Sequence, residues 1–269
     1  MQSALVYVFG TRPNFVKMAP VMRALRVALP GSRHVGVHTG QHYDREMSDL
    51  FLAELDVPPP AHMLGVGSAS HGVQTARALE RIERVLLDER PELVVVPGDV
   101  NSSLAGALAA VKLGIPVAHI EAGLRSFDRT MPEEVNRVLV DQVSRWCFTH
   151  SPEADENLVR EGVEPERIFR VGNTMIDTLV RMRARVERSG VHARLGLDAG
   201  YLLVTLHRPA LVDGPLLAEV LRELDRLSRT LPVVFPMHPR TRAHAGGYEP
   251  ASPHLRVLDP VGYVDFLAL

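Results

Sequence analysis

An α/β fold built on parallel sheets is predicted by three features of this sequence. Short apolar runs rich in Val and Ile (Ala4 to Phe9, Leu93 to Val96 and Ile115 to Ile120) have the length and composition of strands buried on both faces. Each run leads through a turn or loop to residues with helical spacing, the alternation that builds doubly wound sheets. The rhythm breaks at Gly190 to Gly200, which carries Gly190, Gly196 and Gly200, and then resumes. Two domains follow from that break, residues 1–188 and 189–269.

In order, Ala4 to Phe9 is the first strand, and Gly10-Thr11-Arg12-Pro13-Asn14 turns into a helix over about 15–29. A strand, a glycine turn and a helix N-terminus form an anion cradle, and Arg12 and Lys17 either add positive charge to it or are ordinary solvated charges. His34 to Thr39 is the second strand, followed by a helix over about 44–54 and the Pro58-Pro59-Pro60 loop. Gly65-Val66-Gly67-Ser68 is expected as a plain loop. Its third glycine, Gly72, is out of place for a dinucleotide fingerprint and no clear strand precedes it. Val73, Ala76, Leu79, Ile82, Val85 and Leu86 stripe a helix over 71–88.

Leu93 to Val96 then ends at Pro97-Gly98-Asp99, and Asn101 or Ser102 is expected to cap a helix running to Leu113. Ile115 to Ile120 delivers Glu121 at its tip, and Pro132 opens a helix carrying Glu133, Glu134, Asn136 and Arg137. Further elements are a strand over 146–149, a helix over 152–161, a strand over 167–171 and a helix over 175–188. The second rhythm has strands at 201–206, 232–236 and 255–258, a helix over 216–229 and a helix starting at Gly262. Three strands are too few to match the first sheet, so the second domain is expected to be incomplete.

Composition narrows the function. The chain has 269 residues, 46% of them hydrophobic, and a formal charge of −2, with a pI near 6.6. That balance argues against a general nucleic-acid or membrane-surface binder. No apolar run approaches the ~20 residues of a membrane span, and no charged segment precedes the short apolar start, so a cytoplasmic protein is expected. The lone Cys147 excludes an internal disulfide and, flanked by Trp146 and Phe148, reads as a buried thiol. None of the twelve histidines has a metal-ligand spacing. No metal or cofactor is expected.

Three carboxylates concentrate the chemistry. Asp99 and Glu121 fall at the carboxyl ends of neighbouring strands and Glu133 at a helix start, the edge where open α/β sheets bind ligands. Each has an ordinary alternative: Asp99 as a helix cap, Glu121 as the partner of Arg125 or Arg137, and Glu133 as a favourable charge on a helix dipole. His207 and Arg208 follow the first strand of the second domain, and His238 follows the next. A cation there suits a diphosphate.

These residues lie in ordered motifs: GTRPNF at 10–15, GQH at 40–42, GDVNS at 98–102, HIEAGLR at 119–125 and MPEEVNR at 131–137. GNTMID at 172–177, TLHRP at 205–209 and FPMHP at 235–239 complete the set. Together they span essentially the whole chain and resemble the non-hydrolysing UDP-N-acetylglucosamine 2-epimerases. The resemblance implies a glycosyltransferase-B-like architecture of two Rossmann-like domains, the second binding the nucleotide. It also implies a homodimer that interconverts UDP-GlcNAc and UDP-ManNAc for cell-surface polysaccharide synthesis, without a cofactor. Asp99, Glu121, Glu133 and His207 match the catalytic positions of that family. Arg12, Lys17, Gln41, His42, Arg137, Asn173, Arg208 and His238 match substrate or nucleotide contacts. Many members carry Glu where this chain has Asn14, and an Asn form resembles one branch. The family continues past Phe266-Leu267 into an Asp-Ser-Gly-Gly segment that holds UDP. The competing readings are a glycosyltransferase of the same fold, which needs an acceptor, and a non-catalytic nucleotide-sugar binding module.

Overall fold

The computed structural model describes residues 3–40, 51–197 and 200–269. Two compact units emerge, Met1–Arg181 and Met182–Leu269. In the first, β1 (Ala4–Phe9) leads into α1 (Arg12–Ala28), followed by β2 (Arg33–His38) and β3 (His62–Met63). Then come α2 (His71–Glu89), β4 (Leu93–Pro97), α3 (Asn101–Lys112), β5 (Val117–Ile120) and α4 (Pro132–Val143). The unit closes with β6 (Trp146–Thr149), α5 (Pro152–Arg160), β7 (Ile168–Arg170) and the start of α6 (Thr174–Glu187).

The strands form one parallel sheet in the order β3-β2-β1-β4-β5-β6-β7. The chain winds outward from β1 in one direction and then, from β4, in the other. The β1–β4 boundary is therefore the switch point at which such sheets open a ligand crevice. Val6, Val8, Val94, Val96 and Val117 are buried with Ile82 and Leu86 of α2. Helix α3, built largely from small residues, packs directly on β1. A Cβ on Gly106 would meet Val8 carbons at 3.2 Å.

Apart from the helix over 44–54, the expected strands and helices of this unit are present, with differences at their ends. The short β3 does precede the Gly65–Gly67 loop, an unexpected strand whose two residues pair only with the end of β2. The first residue outside α3 is Val100, with extended backbone, so Asn101 and Ser102 begin the helix rather than cap it. The expected helix over 44–54 lies largely outside the described residues, of which 51–54 are helical. Cys147 on β6 is buried, donates to the Asp141 carbonyl at 3.6 Å, and has its thiol pushed up to about 12 by burial and by the Asp141 charge.

The second unit holds α7 (Val191–Leu195), β8 (Leu202–Leu203), α8 (Pro209–Val212), α9 (Leu216–Ser228), β9 (Val233–Pro236), α10 (Pro239–His244), β10 (Leu255–Leu258) and α11 (Tyr263–Ala268). Its parallel sheet runs β10-β9-β8. Leu217, Leu221 and Leu224 of α9 pack with Val233, Phe235 and Met237. Of the strand expected over 201–206, Leu202–Leu203 pair with β9, and the Val204 amide donates to the Val234 carbonyl at 2.9 Å. Among the described residues no helix is long and apolar enough to cross a membrane.

Candidate active site

β4 and β5 run in register, Val94 opposite Val117 and Pro97 opposite Ile120, so both end at the same edge of the sheet. Past Pro97 the chain turns at Gly98, whose φ of +61° puts it in the left-handed region. Its amide donates to the Ile120 carbonyl at 2.9 Å, and Asp99 follows. Past Ile120 the turn is made by Glu121 itself, at φ +70°. A left-handed conformation costs a non-glycine residue about 1–3 kcal/mol and persists only where its surroundings enforce it. Here the Glu121 and Ala122 amides both donate to the Phe148 carbonyl at 3.0 Å.

The Lys17 ammonium is 2.5 Å from a Glu121 carboxylate oxygen. A Cβ on Gly98 would meet that ammonium at 3.0 Å, so glycine makes room for the lysine. Asp99 forms an ion pair with Arg137 of α4, and its carbonyl accepts from Asn136 at 2.8 Å. Asn136 also donates to Asn101, which donates in turn to Gln74. Lys17 and Glu121 therefore meet at the switch point, with Asp99 next to the glycine that receives the lysine. The alternative in which Glu121 pairs with Arg125 or Arg137 is not the arrangement found. Lys17 of α1 takes that place, since β1 and β4 are neighbours and the start of α1 overlies the tip of β4. Lys17 is thereby committed to a carboxylate rather than to an open anion cradle. Glu121 and Asp99 thus each hold a cation.

Glu133 and Glu134 occupy the first turn of α4 with opposite environments. Glu133 is half-buried and makes no hydrogen bond or ion pair among the described residues. It lies one turn from Arg137, on the same face of α4. Glu134 is buried. It accepts from the Ser126 amide and hydroxyl at 2.9 and 3.0 Å and the Phe127 amide at 3.0 Å, and pairs with Arg137 at 3.3 Å. Burial pushes the Glu134 carboxyl up, but these donors outweigh it and hold the group below the usual glutamate range.

A group depressed in this way stabilises the fold above its unfolded value, about 4.3. That stability is lost as pH falls through the depressed folded value. The variant Glu134→Gln is therefore expected to unfold at lower temperature near neutral pH and to show a shallower loss of stability on acidification. Melting temperature against pH from 7 to 3 measures both; an acid limb as steep as that of the parent protein would contradict the assignment.

Behind the strand tips runs a buried chain of polar groups that sequence reasoning missed. His119, on β5, directs Nε2 at the Gly98 carbonyl at 2.8 Å and Nδ1 at Asp141 Oδ1 at 2.6 Å. Both ring nitrogens face oxygen atoms. Asp141 Oδ2 accepts from the Gly123 amide at 3.1 Å and pairs with Arg125 at 2.8 Å. Arg125 also makes a two-pronged contact with Glu161 at 2.6 and 2.7 Å. Burial pushes the Asp141 carboxyl up, yet the charges and hydrogen bonds of His119 and Arg125 prevail and hold it below the usual range. A signal was available: Glu134, Arg137 and Asp141 fall at i, i+3 and i+7, a polar stripe on one face of α4.

The remaining expected residues divide by location. The Asn173 side chain accepts from the Met175 amide at 2.9 Å at the start of α6. Gln41, His42 and the Arg12 side chain lie outside the described residues. In the second unit, His207 and His238 have ring centroids 6.2 Å apart. They line a pocket of about 330 Å³ with Thr205, Pro236 and Phe266. His238 also begins α10, accepting from the Arg240 amide at 3.1 Å. Arg208, beside His207, is exposed. Among the described residues no group of three or more His, Cys, Asp or Glu is placed to hold a metal ion.

Comparison with known proteins bears on this arrangement. The family model described as UDP-N-acetylglucosamine 2-epimerase matches residues 28–269. The UDP-N-acetylglucosamine 2-epimerase of Methanocaldococcus jannaschii is 41% identical, over 98% of this chain and 75% of its own. The UDP-2,3-diacetamido-2,3-dideoxy-D-glucuronate 2-epimerase of Pseudomonas aeruginosa is also 41% identical, with the same coverage. A crystal structure of the M. jannaschii epimerase in complex with UDP-GlcNAc and UDP superposes with a TM-score of 0.88, over 98% of this chain and 75% of that one, at 40% identity. The Neisseria meningitidis epimerase bound to UDP-GlcNAc superposes at 0.87, over 98% and 74%, at 28% identity.

Proposed function

The chain belongs to the UDP-N-acetylglucosamine 2-epimerase family, and on that premise we propose that it interconverts UDP-GlcNAc and UDP-ManNAc. The observation that carries the proposal is the pairing of Lys17 with Glu121 at the switch point, with Asp99 and its Arg137 alongside. Inversion at C2 is difficult because that carbon is not next to a ring carbonyl. Elimination avoids the difficulty. The C1–O bond breaks and UDP leaves with the electron pair, while the C2 proton passes to a protein base and a C1–C2 double bond forms. The intermediate is 2-acetamidoglucal. Re-addition of UDP at C1, with protonation of C2 from the opposite face, gives the epimer.

Such a path needs a base for each face of C2 and support for positive charge at C1. Asp99, Glu121 and Glu133 are assigned jointly to these tasks. His207, Arg208 and His238 are assigned to the departing diphosphate, and Arg12, Gln41, His42, Arg137 and Asn173 to substrate contacts. Residues 1–188 form the carboxylate-bearing domain and 189–269 part of the nucleotide-binding domain, in a cytoplasmic homodimer.

Proton NMR of UDP-GlcNAc incubated with the protein is expected to show growth of the UDP-ManNAc anomeric signal until the two sugars equilibrate. A second substrate reading rests on the P. aeruginosa relative, equally similar to this chain. The same assay on UDP-2,3-diacetamido-2,3-dideoxy-D-glucuronate separates the two. Turnover of that sugar alone would replace the substrate assignment while keeping the chemistry, and turnover of neither would overturn the epimerase assignment.

A further inference from the structure

Asp141 is fully buried at the far end of α4, and the epimerase chemistry assigns it no role. A buried charge is a poor device for stability alone, because well-packed apolar residues usually serve as well. Its two oxygens are also divided between the two strand tips. Oδ1 holds His119, whose other nitrogen holds the Gly98 carbonyl, one residue before Asp99. Oδ2 holds the Gly123 amide, two residues after Glu121.

The backbone at each tip needs such a restraint. Gly98, Glu121 and Gly123 all lie in the left-handed region, at φ +61°, +70° and +79°. Glu121 pays a steric penalty there that glycine does not. Gly123 is held so closely that a Cβ would lie 2.4 Å from the Ala154 carbonyl oxygen. Arg125, braced by Glu161, fixes the remaining side of the Asp141 carboxylate.

We propose that Asp141 is the positioning residue for both strand-tip carboxylates, setting Asp99 through His119 and Gly98, and Glu121 through the Gly123 amide. One buried carboxylate thereby holds two reactive ones in register without touching substrate. The proposal rests on the epimerase assignment of Asp99 and Glu121.

The test compares Asp141→Asn and His119→Asn with the parent in the full chain. Asparagine at 141 keeps the shape but places an amide group against one of the donors now facing Asp141. Asparagine at 119 retains a group near the Nδ1 position but loses the Gly98 carbonyl, leaving the Gly123 contact intact. Small misplacements of reacting groups are costly. In both variants, kcat for UDP-GlcNAc per folded molecule is expected to fall between ~10- and ~100-fold with KM little changed, the upper figure being the scale of a ~1 Å misplacement of a reacting group. Hydrogen exchange, read independently of activity, is expected to quicken locally. In Asp141→Asn it quickens at both residues 98–99 and 121–124, in His119→Asn chiefly at 98–99, while β1 and β2 stay protected. Parent-like kcat in both variants, or exchange that quickens uniformly across the sheet, would overturn the proposal. Local exchange changes in a protein whose parent form fails to epimerise would instead sink the epimerase assignment and leave the positioning role standing.

Discussion

Glu121→Gln is expected to keep the fold and to lower epimerisation of UDP-GlcNAc by at least ~100-fold, the lower end of what a positioned acid or base contributes. Glutamine matches the shape of the side chain and leaves the Phe148 hydrogen bonds that hold the left-handed turn. It removes the ability to carry a proton at this position, and it deprives the buried Lys17 ammonium of its counter-charge. Some loss of thermal stability is therefore expected together with the loss of rate. Initial rates by NMR, normalised to folded protein from the unfolding transition, keep the two effects apart. A normalised rate close to the parent value would reduce Glu121 to a structural counterion for Lys17.

Epimerisation in D2O is expected to place deuterium at C2 of nearly every UDP-ManNAc molecule formed from UDP-GlcNAc. The expectation follows from stereochemistry. A proton taken from one face of C2 and returned to the other requires two different groups. The returning proton therefore comes from a group that has equilibrated with solvent. Glu133, half-buried and without a partner among the described residues, is suited to that exchange. A redox route through a tightly held hydride returns the original hydrogen and needs a dinucleotide, for which the Gly65–Gly67 loop offers no fingerprint. Mass spectrometry at early conversion reads the label. Product carrying protium at C2 would rule out elimination and the carboxylate assignments with it.

The sheet of the first unit was legible because its central strands β1, β4 and β5 are buried on both faces and read as continuous apolar runs. Ala4–Phe9 and Trp146–Thr149 fall at the expected positions, as does Leu255–Leu258 in the second unit. Asp99 and Glu121 were legible as strand tips for the same reason. Their partners were not. Lys17 is more than a hundred residues from Glu121 in sequence, and only the β1–β4 neighbourhood brings the two together. Near neighbours such as Arg125 looked better placed, but Arg125 turns inward to Asp141 and Glu161. The short helices α8 and α10 were missed because four and six residues are too few for a helical period to stand out. His119 lies within the HIEAGLR motif, but nothing local in sequence shows that both its nitrogens face acceptors.

The buried Cys147 makes this network observable. It is the only cysteine in the sequence, and its sulfur leans on the backbone of Asp141 itself. With its thiol held protonated, it is shielded from alkylating reagents while β6 stays closed. Its rate of modification thus becomes a clock for the breathing motions that expose this part of the sheet. Any reporter cysteine placed on the surface would be labelled first, on a background that is chemically silent.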